Sequence, residues 1–124
     1  MRTEGTIKPL DPSTEYFFDE GCHIIEMSNG ADDPELSIAR ARVEPGQTTR
    51  WHSLAATTER YVISAGRGRV EVGELAAVDV GPGDTVIIPP DTPQRIANTG
   101  SEDLIFLALC TPRFRVEAYR DLED

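Results

Sequence analysis

At 124 residues, with 39% apolar side chains, 10 glycines and 9 prolines, the chain is long enough for one turn-rich globular domain with its own core. A formal net charge of −10 argues against a nucleic-acid partner, because a phosphate backbone would be repelled, while the same charge keeps a small protein soluble. Two cysteines, Cys22 and Cys110, are too few for a secreted disulfide scaffold and are expected as reduced, packed thiols.

In chain order, short runs of alternating character fall at Gly5–Lys8, Glu15–Phe18, His23–Met27, Leu36–Val43, Gln47–Trp51, Thr58–Ala65, Arg69–Val72, Leu75–Val80, Thr85–Ile88, Gln94–Ala97 and Asp103–Cys110. Turn residues separate them: Asn29-Gly30, Pro45-Gly46, Gly66-Arg67-Gly68, Gly73-Glu74, Gly81-Pro82-Gly83-Asp84 and Asn98-Thr99-Gly100. Pro89-Pro90-Asp91-Thr92-Pro93 cannot sit inside a ladder, because three ring nitrogens lack an N–H; the chain must loop there and re-enter a sheet at Gln94. No helix of ordinary length is visible, and the acidic tail Glu117–Asp124 is expected to form one turn or to fray. The pattern is that of an all-β antiparallel barrel or sandwich. Met1–Glu20 carries charges throughout and shows no leader-like apolar run, and Leu104–Cys110 is too short to span a bilayer. A cytoplasmic protein without membrane contact is the expectation.

The chemistry-bearing residues fall in two punctuated stretches. The first holds Gly46, His52, Glu59 and Gly66; the second holds Gly83, Pro89, Asp91, Gln94 and Asn98. Their spacing resembles the two motifs of the cupin superfamily, G-x5-H-x-H-x(3,4)-E-x6-G and G-x5-P-x-G-x2-H-x3-N. The spacings match at Gly46, His52, Glu59 and Gly66, and again at Gly83, Pro89 and Asn98. Leu54 replaces the second histidine, Asp91 the glycine of the second motif, and Gln94 its histidine. The resemblance implies a cupin-type double-stranded β-helix, a jelly-roll barrel, filling residues 1–124. Its conserved-barrel-like core spans about 36–111, with N-terminal edge strands over 4–27 and a C-terminal tail over 112–124. It also implies that His52, Glu59 and Gln94 converge on one cavity. The Cys110-Thr111-Pro112-Arg113-Phe114 ending resembles that of small single-domain cupins.

Two readings of this trio stand side by side. In one, His52, Glu59 and Gln94 hold a divalent ion (Mn, Fe, Ni or Zn) at low affinity, since one imidazole, one carboxylate and an amide oxygen make a weak donor set. In the other, His52 and Glu59 hydrogen-bond each other as a metal-free acid/base pair in a polar interior. Strand parity puts Tyr61 beside Glu59, so these two are the candidate catalytic proton movers. Parity also puts Arg50 on the face of His52, and Trp51 on the opposite face. Arg50, Arg42 and Asn98 are the candidate ligand-binding residues; an arginine on a cavity wall would grip a carboxylate or phosphate. Arg40 and Arg42 equally suit a solvated face paired with acids. His23, away from both stretches, is expected to be structural or at the surface.

Two functions follow. The first is an enzyme performing proton-transfer chemistry of the isomerase, epimerase or lyase type on a sugar or carboxylate; a single histidine disfavours an iron oxygenase. The second is a non-catalytic module that binds or senses a small ligand without metal. Homodimerisation through sheet edges is expected for either.

Overall fold

A computed structural model describes residues 4–123. Residues 1–3 and 124 of the expected domain lie outside the described residues. The strands are β1 (Tyr16–Phe18), β2 (Cys22–Ser28), β3 (Ser37–Val43), β4 (His52–Leu54), β5 (Thr58–Ala65), β6 (Gly68–Val72), β7 (Val78–Val80), β8 (Thr85–Ile88), β9 (Gln94–Asn98), β10 (Leu104–Thr111) and β11 (Tyr119–Asp121). They build two antiparallel sheets, a six-stranded one ordered β1-β2-β3-β10-β5-β8 and a five-stranded one ordered β11-β4-β9-β6-β7. Among the described residues no helix is long and apolar enough to cross a membrane.

Alternation explains which side chains meet between the sheets. Tyr61 and Ile63 on β5, Leu104, Phe106 and Cys110 on β10, and Ala41 and Val43 on β3 are buried from one sheet. Val70 and Val72 on β6 and Gln94, Ile96 and Asn98 on β9 are buried from the other. Most of this interior is aliphatic; His52 and Gln94 are polar exceptions at one end, and Asn98 is another at the far end of β9.

Glycine is demanded sharply at Gly66, which leaves β5. Its φ is +84°, and a Cβ there would lie 2.5 Å from the Asp103 carbonyl oxygen and 2.9 Å from the Leu104 Cα. Asp91, standing where the second motif has glycine, also takes a left-handed φ of 62°. Its carboxylate accepts the Ala56 N–H at 3.2 Å and its own N–H donates to the Leu54 carbonyl at 2.9 Å. These bonds to the distant β4–β5 turn hold Asp91 in a left-handed conformation that aspartate adopts more readily than most residues. The Pro-rich loop returns to the sheet at Gln94, as its missing donors require.

Three expected elements differ. Gly5–Lys8 is no strand: Lys8 reaches Asp32 and Ser28, but that segment joins neither sheet. Residues 47–51 hold only an isolated bridge from Thr48 to Ala97, and the strand proper begins at His52. The tail, expected to form one turn or to fray, forms a short 3-10 turn at Val116–Ala118 and then, unexpectedly, β11, which pairs with β4 in the register Tyr119↔Leu54 and Asp121↔His52. Alternating apolar character is weak in this segment, so its pairing was invisible to periodicity.

Candidate functional site

The polar end of the interior is a cavity of about 60 Å³ measured at the centres of water molecules that fit it. That space holds a few waters or the small end of a ligand. His52, Glu59 and Tyr61 line it, joined by Glu20, Cys110 and Tyr119. Sheet register brings them together. Glu59 on β5 lies opposite Cys110 on β10, and His52 on β4 lies opposite Gln94 on β9.

Gln94, fully buried, ties one sheet to the other. Its amide N–H donates to Glu59 Oε1 at 2.5 Å, and its amide oxygen accepts the Tyr61 hydroxyl. This chain fixes the amide's orientation: an ionised carboxylate oxygen only accepts, so the NH2 group faces Glu59 and the amide oxygen is left to accept from the Tyr61 hydroxyl. Burial first, then the charges of Glu59 and Glu20, push the Tyr61 hydroxyl well above its ordinary value, so it stays a donor to Gln94. Among the described residues Glu59 Oε2 has the Cys110 thiol, at 3.9 Å, as its hydrogen-bond partner, and it is the carboxylate atom left for a ligand. Burial, followed by the charge of Glu20, raises Glu59 to about 7, although Gln94, His52 and Cys110 pull the other way. The Cys110 and Cys22 thiols are both pushed up by burial and neighbouring carboxylates, which leaves them protonated and unreactive.

His52 has an acceptor at each ring nitrogen. Nδ1 faces the Arg50 carbonyl at 2.5 Å and Nε2 faces Glu20 Oε2 at 3.0 Å. A carbonyl can only accept and an ionised carboxylate can only accept, so both ring nitrogens carry hydrogen and the ring is an imidazolium. Burial alone would lower its pKa; the Glu20 hydrogen bond and charge, the Arg50 carbonyl and Glu59 together outweigh burial and raise it to about 9. Tyr119 from β11 stacks on the ring, with centroids 5.1 Å apart and planes at 23°. Phe18 meets Tyr119 and Phe114 edge to face, at 5.1 and 6.3 Å, closing an aromatic rim.

The donors therefore fit a divalent ion poorly. Both nitrogens of His52 are engaged by protein acceptors, the Gln94 oxygen is engaged by Tyr61, and Leu54 offers no lone pair. Among the described residues no cluster of three or more His, Cys, Asp or Glu side chains is placed to hold a metal. The direct His52–Glu59 hydrogen bond expected for the metal-free pair is replaced as well: His52 bonds Glu20, and Glu59 bonds Gln94.

The three candidate ligand-binding residues lie elsewhere. Arg50 pairs with Asp121 at 2.9 Å on the surface. Its parity with His52 fails because 49–51 belong to no strand and the chain bends at Trp51, just before β4 begins, and the Arg50 carbonyl reaches the His52 ring. Arg42 faces outward to Glu15 at 2.8 Å and Asp103 at 3.2 Å, while Arg40 lies 3.6 Å from Glu15. Asn98 clamps a loop, donating to the Val43 and Glu102 carbonyls at 2.8 Å and accepting the Gly100 N–H. Trp51 lies under the Arg95 guanidinium, 5.3 Å from its ring centroid, and His23 bonds Glu44 at the surface.

Glu20 and Tyr119 were not foreseen. Glu20 occupies the turn between β1 and β2, where Gly21 has φ +104° and the Glu20 carbonyl takes the Arg50 N–H at 2.7 Å. That backbone bond sets its carboxylate beside His52. Turn residues have no parity, and both residues lie outside the two motifs; the adjacent Asp19-Glu20-Gly21 was the sole local sign of an acidic turn.

A family model described as a cupin domain matches residues 39–110. The uncharacterized protein MJ1618 of Methanocaldococcus jannaschii is 36% identical over 87 residues, which cover 70% of this chain and 69% of that protein. A glucose-6-phosphate isomerase of Pyrococcus abyssi is 31% identical over 87 residues, covering 60% of this chain and 46% of the isomerase, so under half of that enzyme is matched. Among solved structures, the nucleoside dehydratase Pac13 of Streptomyces superposes with a TM-score of 0.77 at 18% identity, covering 95% of this chain and 92% of that one. At that identity the likeness is one of fold.

Proposed function

We propose, from the premise that this chain belongs to the cupin family, that its cavity binds a small sugar or carboxylate and that Glu59 moves a proton there without a resident metal ion. The observation that carries this reading is the pairing of a buried carboxyl raised to about 7 with an imidazolium locked between two acceptors. A base whose pKa lies near neutrality both takes and returns a proton efficiently. Substrate C–H beside a carbonyl gives its proton to Glu59 Oε2, and the bonding pair moves onto the carbonyl oxygen as an enolate. The positive field of His52 stabilises that charge in a water-poor site. Return of that proton to the carbonyl carbon, as the hydroxyl proton on the deprotonated carbon passes to the enolate oxygen, completes an isomerisation; its delivery to a hydroxyl on the far carbon, which leaves as water while the carbonyl re-forms, completes a dehydration. Tyr61 and Gln94 act as positioning residues that aim the Glu59 carboxylate.

The names of two similar proteins support the class of chemistry, one an isomerase of a sugar phosphate and one a dehydratase of nucleosides. The test is proton exchange in D2O over a panel of aldoses, ketoses and hydroxy acids, followed by NMR. Wild-type protein is expected to exchange the C–H beside the carbonyl with chelator present, and Glu59→Gln to abolish it. Exchange lost to chelator and restored by a divalent ion, or exchange untouched by Glu59→Gln, would overturn the proposal.

A further inference from the structure

The cavity adjoins an outer recess of about 470 Å³, and Tyr16, Phe18, Asn29 and Phe114 line both. Arg113 and Arg115 stand in the wall of the recess. Arg113 is fixed rather than free: Nη1 donates to Asn29 Oδ1 at 3.0 Å, and its main-chain N–H bonds the Pro34 carbonyl at 3.2 Å. Asn29 is held in turn by the Phe114 carbonyl and by Glu26. Arg113 Nε is buried and meets no acceptor. Arg40, Arg42, Arg50, Arg69 and Arg95 each have a carboxylate within salt-bridge distance; among the described residues Arg113 and Arg115 have none, nor do Arg60, Arg67 and Arg120, which do not line this recess. In a chain with 22 acidic residues, an immobilised arginine tethered by a neutral amide keeps its full charge and its fork for something else.

We propose that Arg113 receives the carboxylate or phosphate of a small molecule whose reacting end enters the cavity. The inference rests on the small-molecule reading above and assigns the substrate class to it, an anionic sugar or sugar acid. The guanidinium edge formed by Nη2 and the buried Nε would donate two N–H hydrogen bonds side by side to an oxyanion. Glu26 and Glu117 also face this recess, and Asn29 bridges Arg113 to the Glu26 carboxylate, so the anion seats on the guanidinium edge turned away from Asn29.

The test follows the Arg113 Nε–H resonance of the full chain during titration with glucose, glucose 6-phosphate, gluconate and inorganic phosphate. At least one anionic sugar is expected to give a saturable shift at Arg113, binding about tenfold more tightly than glucose. Arg113→Gln should lose that advantage, while Arg113→Lys, which keeps the charge but not the fork, should keep part of it. Preference for glucose 6-phosphate assigns a phosphate ester; preference for gluconate assigns a carboxylate. The inference is overturned if Arg113→Gln leaves anion affinity unchanged, if every arginine shifts alike, or if no anion gives a saturable shift. Repeating the titration on Glu59→Gln separates the two proposals. Anion binding retained there without proton exchange supports both, whereas exchange on neutral and anionic sugars alike leaves the proton-transfer reading standing without this one.

Discussion

Substituting Glu20 by glutamine tests the electrostatic core of the site with almost no change of shape. In the wild type, the carboxylate 3.0 Å from Nε2 is the main reason that a buried ring titrates at about 9 rather than 6.5. Such a displacement corresponds to about 3 kcal/mol between the charged and neutral rings. Little of it is screened, since the two side chains are 2% and 15% exposed. With an amide at position 20, the neutral ring is fully satisfied: Nδ1–H donates to the Arg50 carbonyl and Nε2 accepts from the amide. The protein should stay folded, and burial then pulls the His52 midpoint down by about two units or more. A folded-state pKa raised above the unfolded value gives stability that is present below pH 6.5 and lost as pH rises through about 9. Urea midpoints of the wild type should therefore fall between pH 6.5 and 9, and those of Glu20→Gln should fall much less. Imidazole NMR against pH gives the two midpoints directly. A wild-type His52 midpoint at or below 6.5, or one unmoved by Glu20→Gln, would refute the imidazolium.

Other consequences are open to simple measurement. Proton exchange should rise with pH and level off with an inflection near 7, the value of Glu59; an inflection near 4.5 would remove its raised pKa from the mechanism. Among the described residues the buried Tyr119 hydroxyl has no hydrogen-bond partner, so Tyr119→Phe should keep the stacking on His52 and stabilise the protein by about 1 kcal/mol in urea melts. A loss of similar size would reveal a partner for that hydroxyl. Gly66→Ala places a Cβ against the Asp103 carbonyl at φ +84° and should cost about 3 kcal/mol or prevent folding, whereas a neutral result would mean that the β5–β10 connection moves freely. The exposed rings of Tyr16 and Phe17 on edge strand β1 suit pairing with a second copy, and light scattering at micromolar concentration should give twice the chain mass. A single-chain mass contradicts the homodimer.

Much of the architecture was legible in local pattern. Period-two runs flanked by glycine and proline placed β5 at Thr58–Ala65 and β8 at Thr85–Ile88, and the three prolines before Gln94 placed the start of β9. Motif spacing likewise brought His52, Glu59 and Gln94 to one end of the interior, because sheet register converts fixed separations along the chain into neighbours across strands. Parity served less well wherever the chain was not extended. Arg50 left the face of His52 at a bend, and Arg42 found Glu15 and Asp103 on the outside.

The amino-acid order by itself pointed to an all-β barrel or sandwich, since alternation and turn chemistry act over a few residues, and its resemblance to the cupin motifs implied the polar trio within it. Only the folded chain decided what those residues are chemically. A carboxylate from an early turn and a tyrosine from the last strand meet His52 across 32 and 67 positions of sequence, and no local pattern encodes either approach. Their charge and burial make the histidine a trapped cation, and they leave Glu59 as the group whose proton can move.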